Sequence, residues 1–385
     1  VIYLDNAATT KIDPEVLDAM LPYLTTEYGN AGALYDLGLN AKKAVEKARE
    51  QVASFLNAES PEQIIFTSGG TESNNTVIHN WEALSLETKN QCFITSSIEH
   101  DSVARPIEFL RTARGYMTFY VDCDRNGKID LLELERLVKT YEGAPMVNVM
   151  YMNNEIGSIN PIPEIGDICN KYNAYLHTDC VQAAGCIKLD VQEMKCSSLS
   201  ISSHKIHGPK GIGALYCKDT NRLSPLVLGG HEQEFGMRGG TENVAGIVGF
   251  GKACEIASKC SDYTTDLKRL FWDRLINNME RVRSAWIVSE NANSAHTPGK
   301  ILSFRVHGVD AETMVLMLGA RGVCISSGSA CRNHEQKPSN VLLSIGLSPE
   351  AARESLRVSF SKFNTVRDVI DAVSVISDLI AINVD

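Results

Sequence analysis

Four stretches of the chain combine residue types and spacings that suit covalent and electrostatic chemistry. In "ISSHKIHGPKGIG" (201–213), Lys205 follows a strand pattern and is surrounded by Ser202, Ser203, His204 and His207. A lysine at the edge of a pocket, its proton affinity lowered by cationic or aromatic neighbours, becomes a nucleophilic amine able to form a Schiff base. The alternative is a solvated side chain, which is how the nearby Lys210 is read. In "HTDCVQAAG" (177–185), Asp179 stands just past an apolar strand, with Gln182 three residues on. A carboxylate at a strand end in an α/β protein points into the usual ligand crevice; otherwise it caps the next helix. "FTSGGTESNN" (66–75) clusters Gly69, Gly70, Thr71 and Ser73 between a strand and a helix, a natural phosphate cradle. It is neither a Walker A loop nor a GxGxxG fingerprint, and by itself it reads equally well as a helix cap. Finally, "ISSGSACRNH" (325–334) displays Cys331 on a small, polar, glycine-bearing loop, where a thiol is either incidental or a nucleophile that must travel.

Taken together, a phosphate cradle, a strand-end aspartate and a lysine about twenty-five residues later are the parts that a pyridoxal-phosphate site requires. The cradle would hold the phosphate, Asp179 would keep the pyridine nitrogen protonated, and Lys205 would carry the cofactor covalently. "SSIEHDSV" (96–103) adds His100 after a strand, placed to stack on the ring.

The elements that must position these groups alternate in type. Helical spacing covers roughly 13–27 and 40–57. Apolar runs predict strands at 63–68, 91–97, 116–122, 146–152, 174–179, 198–203 and 213–217. Their near-continuous apolar character implies a sheet covered on both faces, with much parallel pairing. Beyond Gly251 the texture changes: one long charged helix is expected near 252–282, then strands at 300–306 and 354–361 and an amphipathic tail helix. The expected division is a large domain over 15–255 and a smaller α+β domain formed by 1–14 and 256–385, the latter carrying the Cys331 loop at about 322–336.

One further motif competes for attention. "DCDRNGKIDLLE" (122–133) satisfies the calcium-loop pattern of an EF-hand. The preceding "YMTFYV" is a strand pattern, so the entering helix is missing. A strand, a turn at Asn126-Gly127 and a helix after Asp130 are expected instead.

Composition narrows the class. A length of 385 residues suits two domains. A net charge of −10 argues against a general nucleic-acid or membrane-surface binder. No segment reads as a signal peptide or as an apolar run of about 20 residues. Eleven cysteines without CxxC pairs fit a reducing compartment, hence a cytoplasmic protein. No resident metal is expected.

The order of "YLDNAATT" (3–10), "FTSGGTESNN", "EHDSV", "NNEIGSINPI" (153–162), "HTDCVQAAG", "SSHKIHGPKGIGALY", "RGGTENVAG" (238–246) and "SSGSAC" resembles that of the cysteine desulfurases. These are class V aminotransferase-like, fold-type I pyridoxal-phosphate enzymes, and the likeness extends from residue 3 to "LRVSFSKFN" (356–364). The resemblance implies a large domain with a mostly parallel mixed sheet flanked by helices, plus a smaller C-terminal α+β domain. It implies Lys205 as the cofactor lysine, His100 as the stacking histidine and Asp179 on the pyridine nitrogen. Gln182 would bond the ring phenolate oxygen, and Gly70, Thr71, Ser202 and His204 would hold the phosphate. Thr241 would reach the phosphate of a neighbouring subunit, implying a homodimer, while Asn154 and Arg357 would fix the substrate α-carboxylate. Cys331 would take sulfur from L-cysteine as a persulfide and pass it to a sulfur acceptor or iron–sulfur scaffold, for cluster assembly or for thiolation of tRNA or other nucleic acid. Cys331 would be the one candidate for transient cluster ligation.

The chain departs from the family at "GNAGALYDLG", where a Pro-Ser-Ser-x-His-like segment is common; Ala31, Gly32, Ala33 and Tyr35 stand in its place. Cys180 and Arg332 are also less typical. SSGSAC resembles the housekeeping and nitrogen-fixation-associated group rather than the short-loop group that depends on an activator. The rival readings are a selenocysteine lyase and a non-catalytic dimeric adaptor of a sulfur-transfer complex.

Overall fold

The computed structural model describes residues 1–86, 92–141, 143–230, 232–259, 262–281, 288–328 and 338–384. The chain opens with β1 (Ile2–Tyr3), then α1 (Pro14–Thr25) and α2 (Asp36–Leu56). Helix α1 begins where expected because Pro14 occupies its first turn and the Asp13 carboxylate accepts from Glu15 N at 2.8 Å. Helix α2 starts four residues before the expected 40. Its N-cap, Tyr35, offers no side-chain bond, only its backbone carbonyl to Gly38 and Leu39, so the sequence carries no start signal there.

An alternating series follows: β2 (Ile64–Thr67), α3 (Gly70–Leu86), β3 (Cys92–Ser96), α4 (Asp101–Arg114), β4 (Met117–Val121), α5 (Leu131–Thr140), β5 (Met146–Asn148), α6 (Ile162–Lys171), β6 (Tyr175–Asp179), α7 (Val191–Met194), β7 (Ser198–Ser202) and β8 (Gly213–Cys217). The seven strands β2 to β8 form one sheet in the order β2-β8-β7-β6-β5-β3-β4. Only β8 runs against its neighbours, so the C-terminal ends of the other six lie along one edge. Residue alternation divides the two faces. Ile64, Phe66, Cys92, Ile94, Leu176 and Leu199 enter a core with α2 and α6, whereas Ile65, Phe93, Met146 and Leu215 pack against α3 and α4. Approaching the shared edge, the α3 face turns polar: Thr95, Asn148, His177, Asp179 and Ser200 are all buried there.

Strand β5 is shorter than the expected 146–152. The Asn153 side chain accepts from Glu155 N and Ile156 N at 2.8 and 3.0 Å, bending the chain into a turn. The calcium-loop pattern resolves into a strand, a turn and a helix. Asp124 Oδ1 accepts from Asn126 N and Lys128 N, and Asp130 caps α5.

The remaining elements are α8 (Val244–Ala257), α9 (Tyr263–Arg281), β9 (Val288–Glu290), β10 (Ile301–Val306), α10 (Ala311–Ala320), β11 (Val323–Cys324), β12 (Ser326–Ser327), α11 (Asn340–Ser344), α12 (Pro349–Arg353), β13 (Ser355–Ser359) and α13 (Val366–Val384). The single helix expected near 252–282 is thus two. Ser258 ends α8, its hydroxyl donating back to Glu255 O at 2.7 Å. Strands β12-β13-β10-β9 form a second sheet. A second core joins Phe271, Phe304, Phe360 and Ile376 to Leu4, because β1 pairs in parallel with β11. No helix among the described residues is long and apolar enough to cross a membrane.

Candidate active site

The shared strand edge gathers most of the residues singled out above. Asp179 ends β6, Ser202 ends β7, and His204 and Lys205 form the turn that follows. Beyond β2, residues 68–69 lead into α3, whose opening N–H groups at Gly70, Thr71 and Glu72 have no partner within the helix. Gly70 is a close-approach position: a Cβ there would lie 2.5 Å from Val181 Cγ2. Lys205 Nζ donates to the carbonyls of Ala7 and Ala8, the latter at 2.9 Å, and Gln182 Nε2 donates to Ala7 O at 2.8 Å. Gln182 Oε1 is buried and has no partner among the described residues.

Beneath this edge runs a hydrogen-bond chain whose direction follows from its members. Asp179 can only accept, so Asn74 must turn its amide nitrogen toward Asp179 Oδ2, at 2.7 Å. The same nitrogen donates to Ser102 Oγ at 2.8 Å. Asn74 Oδ1 then accepts from His177 Nε2 at 2.9 Å, and His177 Nδ1 accepts from Ser198 Oγ at 2.8 Å. Burial pushes the His177 ring down to about 3, so it is neutral. At the other end, His100 Nδ1 accepts from Ser102 N at 3.1 Å and from Ser102 Oγ at 2.8 Å. A neutral His100 therefore carries its proton on Nε2. Asn74, Ser102 and His177 were not singled out from the sequence, and only the register of β6 and β7 beneath α3 brings them together. Replacing Asn74 by alanine strands partners on Asp179 and His177; a loss of about 1–3 kcal/mol is expected, measured by urea denaturation.

Glu99 is a second group that the sequence reading missed, although it adjoins His100. Its Oε1 accepts from Ser96 Oγ and, at 2.9 Å, from Met150 N. Burial, with a smaller push from the Asp179 charge, raises this carboxyl to about 8 against those two bonds. At neutral pH it is held as the acid.

Arg357 lies on β13, where its Nη1 donates to Asn154 O and its Nη2 to Asp5 Oδ1, both at 2.9 Å. Asp5 was not singled out either, though it stands inside "YLDNAATT". Thr241 is exposed and lines a neighbouring cleft with Ser68, Arg238 and Gly240 rather than the edge itself. Cys331 and Arg332 lie outside the described residues. The other departures are placed: Ala31 is buried, Ala33 half-buried, Gly32 and Tyr35 exposed, and Cys180 fully buried with its thiol pushed up by desolvation.

These groups fit pyridoxal phosphate: an amine, a buried strand-end carboxylate and an anion-receptive helix start. Comparison with known proteins gives the same answer. The profile of the Aminotransferase class-V family matches residues 2–372. Cysteine desulfurase IscS of Clostridium botulinum (strain Hall) is 40% identical over 380 residues, covering 98% of this chain and 94% of that protein. A cysteine desulfurase of Gluconacetobacter diazotrophicus is 37% identical, covering 99% and 93%. Among solved structures, a NifS-like protein superposes with a TM-score of 0.89 at 31% identity over 99% of both chains. A structure described as SspA in complex with cysteine gives 0.80 at 31% identity, covering 95% of this chain and 100% of that one. The chain belongs to the class-V aminotransferase family of pyridoxal-phosphate enzymes, and within it to the cysteine desulfurases.

Proposed function

We propose that the protein is an L-cysteine desulfurase that uses pyridoxal phosphate, releases alanine and hands sulfur to an acceptor protein through Cys331. The observation that carries this reading is the convergence of Asp179, Lys205 and the opening turn of α3 on one sheet edge. When bound, the cofactor supplies the electron sink that makes the substrate Cα–H acidic and loosens its Cβ–S bond.

The chain's own residues do the rest. Asp179, oriented by Asn74, would hold the proton on the pyridine nitrogen. Gly70, Thr71, Ser202 and His204 hold the phosphate, and Gln182 offers its amide to the ring oxygen. His100 stacks on the ring with Nε2–H directed away from Ser102, available to donate or recover a proton. Lys205 carries the cofactor and moves the proton at Cα. Arg357, already braced by Asp5, holds the α-carboxylate with Asn154. The Cys331 thiolate attacks the substrate sulfur, forming an S–S bond as the Cβ–S bond breaks. The bonding pair stays with Cβ, which takes up a proton to become the methyl group of alanine. Cys331 keeps the persulfide for transfer to a sulfur acceptor or iron–sulfur scaffold, and it is also the candidate transient cluster ligand.

A cytoplasmic homodimer completes the reading. Thr241 faces outward, as a residue serving a second subunit should. Leu34 at 90% and Leu228 at 83% exposure stand in two apolar surface segments of the kind that association covers. The test is the purified protein given L-cysteine, with alanine and sulfide measured. Alanine formation in the parent and none in Cys331→Ala supports a desulfurase. Preference for selenocysteine in kcat/KM makes it a lyase of that substrate. A protein that binds no cofactor when supplied with it is an adaptor.

A further inference from the structure

A cleft of about 120 Å³, lined in part by Lys205, opens between the end of α8 and the residues that flank the second sheet. Among the described residues its charged lining is all of one sign: Lys205, Lys259, Lys300 and Lys362, with no aspartate or glutamate. Lys362 is matched by the Asp13 carboxylate. Lys259 is exposed. Lys300 is the unusual member. It is only 5% exposed, and among the described residues its Nζ has a single partner, the backbone carbonyl of Lys205 at 3.0 Å. A buried ammonium without a counter-charge is a costly arrangement, and proteins resolve it with a paired anion or with neutralisation. The surrounding field agrees: the His207 ring, which also lines the cleft, is pushed down to about 4 by burial, with Lys300 and Lys362 adding to it.

We infer that this cleft binds a small oxyanion, inorganic or carboxylate, with Lys300 as its buried cation and Lys259 at its mouth. The volume is well above the roughly 10–15 Å³ that one water needs, so a tetrahedral anion or a short carboxylate has room to enter. The Lys300–Lys205 bond gives the site a connection to the chemistry. An anion that engages Lys300 acts on the backbone of the very residue that carries the cofactor. Binding itself does not depend on the role proposed for Lys205.

The test uses the cofactor-loaded protein, so that the phosphate cradle is filled, and titrates sodium sulfate and sodium acetate against sodium chloride of matched ionic strength. Thermal midpoint and titration calorimetry are the readouts. A saturable response to either anion is expected, with Lys300→Met raising the half-saturation concentration at least tenfold and Lys300→Arg staying within about threefold of the parent. Sulfate alone, acetate alone, or both identifies the source within the same chemistry. Should Lys300→Met fail to fold, the exposed Lys259→Ala replaces it, with a weakening of about threefold expected. Curves for Lys300→Met and Lys259→Ala that match the parent overturn the inference. So does a non-saturating rise shared with chloride, which is the signature of screening or solute exclusion.

Discussion

Lys205→Ala is expected to abolish alanine formation from cysteine, with a fall of about 10²–10⁴-fold from lost proton transfer alone. The residual protein should retain its fold, because Lys205 sits in a short turn after β7 rather than in either core. Its amine is the one whose position was already fixed by neighbours before any ligand is considered: the carbonyls of Ala7 and Ala8 hold it over the strand edge. Those carbonyls are neutral acceptors that orient the amine. Two measurements separate the possibilities. The visible absorbance of the covalently held cofactor should vanish in the variant, and single-turnover alanine should vanish with it. The exposed Lys210, five residues on, serves as the control, and Lys210→Ala should keep both. A Lys205→Ala protein within tenfold of the parent would show that another group moves the Cα proton.

The second large effect lies away from that edge. Arg49 on α2 meets Glu234 through two bonds of 2.8 and 2.9 Å, with both side chains almost wholly buried. Arg49 also donates to Ile64 O at 2.8 Å, and Glu234 accepts from Phe66 N at 2.7 Å. The guanidinium is sandwiched by aromatic rings, its centre 4.9 Å from that of Phe66 and 4.8 Å from that of Phe235. Removing Arg49 strands the Glu234 carboxylate, and removing the Glu234 charge leaves the guanidinium only the half-exposed Glu46 at 3.3 Å, so Glu234→Gln or Arg49→Met should each destabilise by about 3–5 kcal/mol. The double variant should recover part of that loss, since neither charge is then stranded. Glu234 and Phe235 are consecutive non-glycine residues at φ +43° and +55°, a conformation costing about 1–3 kcal/mol each, and the bridge is what holds them there. The same segment continues through Arg238, paired with Glu72 at 3.0 Å, to Thr241. Cofactor retention should therefore fall along with stability. Urea denaturation and a dialysis assay of bound cofactor check the two parts. A cost below about 1 kcal/mol in both single variants would mean that the turn is held by other contacts.

How much of this could be read from the sequence depends on whether the signal was local. Asp179 and Lys205 were legible because a strand end followed by a polar turn announces itself within ten residues. The start of α1 was legible for the same reason, through Asp13-Pro14. The Arg49–Glu234 bridge, by contrast, joins residues 185 positions apart. The Asn74–His177 bond spans 103 positions and needs the register of three elements. Nothing in a hydrophobic pattern encodes either. The helix expected near 252–282 failed differently: helical spacing persists on both sides of Ser258, and only a hydroxyl bonded back to the chain marks the break.

The Asp5–Arg357 contact has a consequence for how the protein is made. Its partners are 352 residues apart, and one of them braces the other at the mouth of the site. At ordinary synthesis rates the ribosome needs about 20–70 s to travel between them. In the later part of that interval, once β8 has been made as far as Cys217, the sheet edge carrying Asp179 and Lys205 can exist without the guanidinium opposite it. A nascent chain can thus acquire its cofactor floor well before it has a grip on substrate, which orders assembly as cofactor first and turnover last.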